Sequence, residues 1–251
     1  MSMRESPDGG EPDRSNVASA DLLPAWGHLV ILGMTGSGKT ALNRILLQGR
    51  TRVLVVDPKE EYVRECVQVT TGEELAAVVQ ASPGRWRIAY YNRHLEDDFP
   101  ALALAATELG RVTFVVEETD WYCSPSFIDP ALADLLKYGR PRYGQPNTGV
   151  EVWCVSRRPG ELNRLCTSQA MGVFCFQTCE ARDKQYLVEN VGSDFAADLC
   201  ELPVFNEAEP QTTFSVCKQY LRRAGAGVRY WKVHPPTGVL TSVERPMVQS
   251  E

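Results

Sequence analysis

The segment Gly33-Met34-Thr35-Gly36-Ser37-Gly38-Lys39-Thr40 spaces its residues as Gly, four residues, Gly-Lys-Thr. Each residue type has a task on a polyphosphate. Glycines let the backbone curl until its N–H groups point inward around phosphate oxygens. A helix starting at Lys39 adds its positive end. Lys39 reaches the β and γ phosphates as a point charge. Thr40 offers a hydroxyl to Mg2+, a hard cation that prefers oxygen. Ordinary residue frequencies produce the pattern by accident in roughly one chain per hundred of this length. Gly33, Thr35, Gly36, Ser37, Gly38, Lys39, Thr40 and Ala41 are therefore expected to hold a nucleoside triphosphate with Mg2+.

Chemistry on a triphosphate also needs carboxylates, one near the metal and often a second to place water. They are expected where an apolar strand ends, because open α/β sheets bind ligands there. Val112-Thr113-Phe114-Val115-Val116 runs straight into Glu117-Glu118. Glu117 is assigned to the metal's shell and Glu118 to the attacking water as general base. Asp57, after Val53-Leu54-Val55-Val56, is read in two ways: as a ligand to magnesium or water, or as the Asp of a turn before Pro58. Glu60-Glu61 is the nearest rival pair, but it lies beyond Pro58 and away from its strand end, which makes it the weaker candidate.

These groups must be positioned by strands alternating with helices. Strands are expected over His28–Leu32, Arg52–Val56, Trp86–Tyr91, Val112–Val116, Val150–Val155 and Gly172–Phe176. Helices are expected over Lys39–Leu47, Glu73–Gln80, Pro100–Leu109, Asp129–Lys137, Ala181–Asn190 and Asp194–Leu202. Strands with a turn at Gly225–Gly227 are expected between Thr212 and Val233. Near-continuous Val and Leu is the mark of parallel strands buried on both faces. The fold class is α/β, with a mostly parallel central sheet. Residues 1–22 read as a polar tail, residues 23–240 as one domain, and residues 241–251 as a second tail.

Composition narrows the classes. The chain has 251 residues, 43% hydrophobic and 23% charged, as ordinary globular domains do. No apolar run reaches the roughly 18 residues of a membrane span, and the polar, acidic start is not a signal peptide. The net charge of −6 argues against coating nucleic acid by bulk attraction. A local basic excess runs from Lys137 to Arg164: Lys137, Arg140, Arg142, Arg157, Arg158 and Arg164 against Glu151 and Glu161. The eight cysteines show no zinc spacing, and several lie in apolar runs. They are expected to be buried free thiols in a reducing, cytoplasmic setting. Trp121 and Tyr122 either stack on bases or pack beneath a loop. No chemistry is assigned to His28, His94 or His234.

The phosphate loop, Val55-Val56-Asp57-Pro58-Lys59-Glu60-Glu61-Tyr62, the Glu117-Glu118 pair and Ser156-Arg157-Arg158-Pro159 come in one order that resembles the FtsK–HerA superfamily of DNA-pumping ATPases, over about residues 27–202. The resemblance implies a P-loop NTPase (RecA/FtsK-like) three-layer sandwich using ATP and Mg2+. It also implies a ring, a hexamer, acting on double-stranded DNA without sequence preference. The short chain is most like the compact viral genome-packaging members, which work with a capsid or membrane vertex protein. Arg140 and Arg142 match the place of an arginine that reaches into the neighbouring subunit's site. Arg157 stands where the family usually has a Gln that senses the γ-phosphate. The competing readings are a phage-assembly or secretion ATPase that moves protein, and a nucleotide-binding regulatory protein.

Overall fold

The computed structural model describes residues 26–139, 148–211, 213–222 and 227–245. Its centre is a ten-stranded sheet of order β12-β11-β10-β9-β1-β8-β5-β2-β4-β3. The strands are β1 Leu29–Leu32, β2 Arg52–Val56, β3 Val67–Val69, β4 Trp86–Tyr90, β5 Val112–Val116, β8 Val150–Ser156, β9 Gly172–Cys175, β10 Ser215–Leu221, β11 Arg229–His234 and β12 Val239–Val243. From β9 across to β3 neighbouring strands are parallel; β10, β11 and β12 are antiparallel. A hairpin of β6 Cys123–Ser124 and β7 Phe127–Ile128 stands apart.

Alternate residues of each central strand feed two cores, as the pleat requires. Val30, Leu32, Val56, Phe114, Val116 and Cys154 face one layer. It holds α2 (Gly72–Ala81), α3 (Leu95–Leu109), α4 (Pro130–Tyr138), α5 (Arg164–Gln169), α6 (Ala181–Asn190) and α7 (Ser193–Ala196). Leu29, Ile31, Val53, Val55, Val115 and Trp153 face the other, which holds α1 (Lys39–Leu47) through Leu42, Leu46 and Leu47. Among the described residues that second face has a single helix. The antiparallel strands close the remainder, since β11 and β12 pack on α1 and Trp231, Val233 and Leu240 join its core. The architecture is the expected α/β P-loop NTPase sandwich with a mostly parallel sheet.

Several elements differ from expectation. α3 begins at Leu95 and takes Pro100 into its interior. Leu95 and Phe99 are buried, and Glu96, Asp97 and Asp98 complement the positive end of the first turn. β3 and β12 are additional strands, and β12 reaches Val243, past residue 240. Cys179 and Cys200 form a disulfide, which corrects the expectation of free thiols; the other six cysteines are free, and all but Cys66 are buried. Among the described residues no helix is long and apolar enough to cross a membrane. Arg140, Arg142, both chain ends and most of the expected Gly225–Gly227 turn lie outside the described residues.

Candidate active site

The parallel register brings four strand ends to one line. Leu32 of β1 lies beside Ser156 of β8 and Cys175 of β9, Val116 of β5 beside Cys154 of β8, and Val56 of β2 beside Val116. The chain leaves these ends as the phosphate loop, the Ser156-Arg157-Arg158 turn, Glu117-Glu118 and the Asp57–Tyr62 turn. They surround a cleft of about 260 Å³ lined by Thr35, Gly36, Gly38, Lys39, Thr40, Ala41, Lys59, Glu61, Glu117, Glu118 and Arg157, among others.

The loop needs its glycines. Gly33, Gly36 and Gly38 have φ of 139°, 76° and 105°, where L side chains are strained. A Cβ on Gly33 would also lie 2.6 Å from Cβ of Phe176. Gly38 leads into α1, whose first N–H groups have no partner within the helix. The buried Ser37 Oγ has no hydrogen-bond partner. Lys39 Nζ donates to the carbonyls of Gly33 at 2.7 Å and Met34 at 2.9 Å. Burial lowers its pKa, against the pull of Glu117, Glu118 and Glu61. A curled backbone, an unpartnered buried hydroxyl, one ammonium and a hydroxyl facing a carboxylate form a donor set that fits a magnesium-bound polyphosphate.

The carboxylates are arranged differently from the sequence reading. Asp57 is buried, and its two oxygens accept from the backbone N–H groups of Glu61 at 3.0 Å and Tyr62 at 2.9 Å. Asp57 thus ties the turn, the second of the two readings, with each oxygen holding one backbone N–H. That turn swings Glu61 back over α1, where it accepts from Thr40 Oγ1 at 2.6 Å. Glu61, set aside as the weaker rival, is the carboxylate that meets the Thr40 hydroxyl. Glu60, with φ of 55°, absorbs the bend.

Glu117 is nearly buried. It accepts from the Tyr62 hydroxyl and, at 3.4 Å, from Asn43 Nδ2. Burial pushes its carboxyl up to about 7, although the Tyr62 hydrogen bond and Lys39 pull the other way. Asn43 and Tyr62, themselves joined at 2.7 Å, were not anticipated; Asn43 lies four positions after Lys39 on α1, a spacing that puts both on one helix face.

Glu118 has φ 48° and ψ 50°, a left-handed conformation that costs a non-glycine residue about 1 kcal/mol or more. It turns the carboxylate into the cleft, where it accepts from Lys59 Nζ and lies 2.8 Å from Arg157 Nε. The Arg157 approach is an ion pair, its N–H not being aimed at the oxygen. Arg158 pairs with Glu180 and Glu161, so the two strand-end arginines of the basic stretch are neutralised locally. Trp121 is about half exposed, whereas Tyr122 is buried against Phe99 with ring centroids 4.0 Å apart.

Residues 26–119 match the family model of the central domain of the helicase HerA. The matched stretch runs from before the phosphate loop to just past Glu118. The resemblance to HerA-type proteins holds over this stretch. The HerA-type stretch also lies within a whole-chain likeness of fold. The genome packaging NTPase B204 of Sulfolobus turreted icosahedral virus 2, in complex with AMP, superposes with a TM-score of 0.58 at 15% identity, over 90% of this chain and 100% of that one. Its complex with AMPPCP gives 0.57 at 16%, over 88% and 98%. B204, the DNA-packaging ATPase from Sulfolobus turreted icosahedral virus, gives 0.57 at 13%, over the same shares. No curated protein matches the chain in sequence.

Proposed function

We propose that this chain is an ATP-hydrolysing DNA translocase of the HerA type that works as a ring, a viral genome-packaging motor docked on a capsid or membrane vertex protein. The observation that carries hydrolysis is Glu118: a strained backbone aims its carboxylate across the cleft from the phosphate loop. Gly33, Thr35, Gly36, Ser37, Gly38, Lys39, Thr40 and Ala41 hold the phosphates. Mg2+, when bound, neutralises charge on the phosphate oxygens, and Thr40, Glu117 and Glu61 are the residues that would hold it. Lys39 neutralises the β and γ phosphates. Glu118 orients the attacking water and takes its proton, while Lys59 and Arg157 fix where that carboxylate points. Arg157 thus acts through Glu118 in place of the usual Gln. Arg140 or Arg142 reaches into the neighbour's cleft, where a cation stabilises the transferring phosphoryl group.

DNA as cargo is supported by the HerA match and by the fold shared with the packaging NTPase. Contacts are to phosphate and independent of sequence. The test is ATP turnover with and without double-stranded DNA of unrelated sequences. Stimulation by every duplex is expected. An ATPase indifferent to DNA would point to a motor that moves protein, and nucleotide binding without turnover to a regulatory protein. A ring is tested by mixing Lys39→Ala with a variant lacking Arg140 and Arg142. Mixed oligomers regain partial activity if sites are shared, and gain none if each subunit works alone.

A further inference from the structure

The cleft extends beyond the phosphate loop in a direction the reaction does not need. Its remaining lining is Phe205, Glu207 and Pro235, beside Ala41 and Arg44. The sheet order sets the two ends apart. β8, β5 and β2, which carry Arg157, Glu117-Glu118 and the Lys59–Glu61 turn, lie on one side of β1; β9, β10 and β11 lie on the other. A nucleoside triphosphate is a linear object. With its terminal phosphate at the carboxylates and its inner phosphates at the start of α1, its sugar and base would extend toward β10 and β11. That is the side where Phe205 and Pro235 stand.

We propose that Phe205, Pro235 and Glu207 form a nucleobase-binding wall. The base stacks on the Phe205 ring and against Pro235, and Glu207 accepts a hydrogen bond from an exocyclic amino group. This rests on the nucleotide reading of the cleft and adds to it a preference among bases. Stacking favours a purine for its larger face. An acceptor-only carboxylate favours adenine, with its amino group, over a base lacking one.

The wall is held in place by its own contacts. Phe205 N donates to Ser215 Oγ at 3.0 Å, and Asn206 N to Thr213 Oγ1 at 2.9 Å. The Phe205 ring meets His234 edge-on, with centroids 6.0 Å apart, and His234 Nε2 is 2.9 Å from the Pro210 carbonyl. A Cβ on Gly38 would lie 3.2 Å from Ser215 Oγ, so the residue that anchors Phe205 also touches the phosphate loop. Arg44, an α1 residue that also lines the cleft, is tied to the Glu61 carbonyl and lies 3.4 Å from Glu65.

The experiment is calorimetric titration of the full chain, with Mg2+, against ATP, UTP, purine riboside triphosphate and inorganic tripolyphosphate. Wild type should bind ATP about tenfold or more tighter than tripolyphosphate or UTP. Phe205→Ala should lose about tenfold for ATP and nothing for tripolyphosphate, with Phe205→Trp retaining the affinity. Glu207→Ala should narrow the gap between ATP and purine riboside triphosphate, which lacks the amino group. Equal affinity of wild type for all four, or a Phe205→Ala loss as large for tripolyphosphate as for ATP, would overturn the wall and leave the phosphate loop intact. Failure of wild type to bind ATP and tripolyphosphate alike would instead overturn the nucleotide reading beneath it. Should Phe205→Ala not fold, Glu207→Ala decides.

Discussion

Glu117 and Glu151 are both carboxylates shut inside the same sheet, and they are held in opposite ways. Glu151, near the start of β8, accepts from Arg50 Nε at 2.5 Å, Thr113 Oγ1 at 2.5 Å and Gly27 N at 3.3 Å. Burial raises its pKa, and Arg50 pulls it back. Glu117, just beyond β5, accepts from the neutral Tyr62 and Asn43, and stands at about 7. A buried charge with its counter-ion in the chain is a structural joint. One whose hydrogen-bond donors are neutral, with Lys39 near but not bonded to it, gains from a cation brought in from outside. The N-terminal end of the sheet is closed on itself, and the C-terminal end is built to receive something.

That contrast can be broken by experiment. Lys39→Ala should remove hydrolysis by about a thousandfold or more, since it deletes the cation facing the phosphates, with the melting temperature unmoved. A variant that keeps turnover would take the chemistry away from this end of the sheet. Glu118→Gln should retain ATP binding and lower turnover by about a hundredfold to ten-thousandfold, since an amide cannot take the proton. If Glu117→Gln stops turnover and Glu118→Gln does not, the two glutamates exchange roles. At the opposite end, Arg50→Ala should lower unfolding stability by about 3 to 5 kcal/mol by stranding Glu151, while the folded fraction keeps its kcat.

The pH dependence separates the two ends more finely. Glu117 is raised from 4.5 to about 7, so the folded state holds a proton that the unfolded chain releases. Stability of the chelator-treated protein should therefore fall as pH rises from about 4.5 through about 7, by on the order of 3 kcal/mol. Denaturant titration across that range should show the slope, and Glu117→Gln should flatten it. An unchanged slope would mean that Glu117 is solvated. The smallest effect belongs to Tyr62→Phe. It removes one donor to Glu117 and should cost about 1 to 2 kcal/mol of stability, with ATP affinity nearly unchanged.

What the sequence disclosed follows from how local each signal is. The loop from Gly33 to Thr40 and the bounds of α1 were legible because glycine spacing and helical periodicity lie within a few residues of each other. The β5 strand and its acidic end were legible because burial on both faces writes a continuous apolar run. Glu61 was not. Counting from a strand end ranks it behind Glu117, and only the turn that Asp57 ties together brings it to Thr40. Pro100 read as a helix start because proline favours the first turn, while Leu95 and Phe99 reach the core one turn earlier. β3 hid because Val67 and Gln68 are exposed, and β12 because an edge strand carries a weak pattern. The Cys179–Cys200 pairing spans a sequence separation of 21, and nothing local announces it.

The disulfide has a bearing on handling and on habitat. It closes a covalent hoop around α6 and α7, and the hoop's clasp backs the phosphate loop: Gln177 Nε2 donates to the Cys200 and Leu202 carbonyls at 2.9 and 3.1 Å, and the Gln177 carbonyl accepts from Met34 N at 3.4 Å. A hoop of this size removes about 3 kcal/mol of freedom from the unfolded chain. Oxidised and reduced preparations are thus two different polymers once unfolded, although they share one fold. A thiol reductant in the buffer selects the weaker of them, and so does a reducing cell.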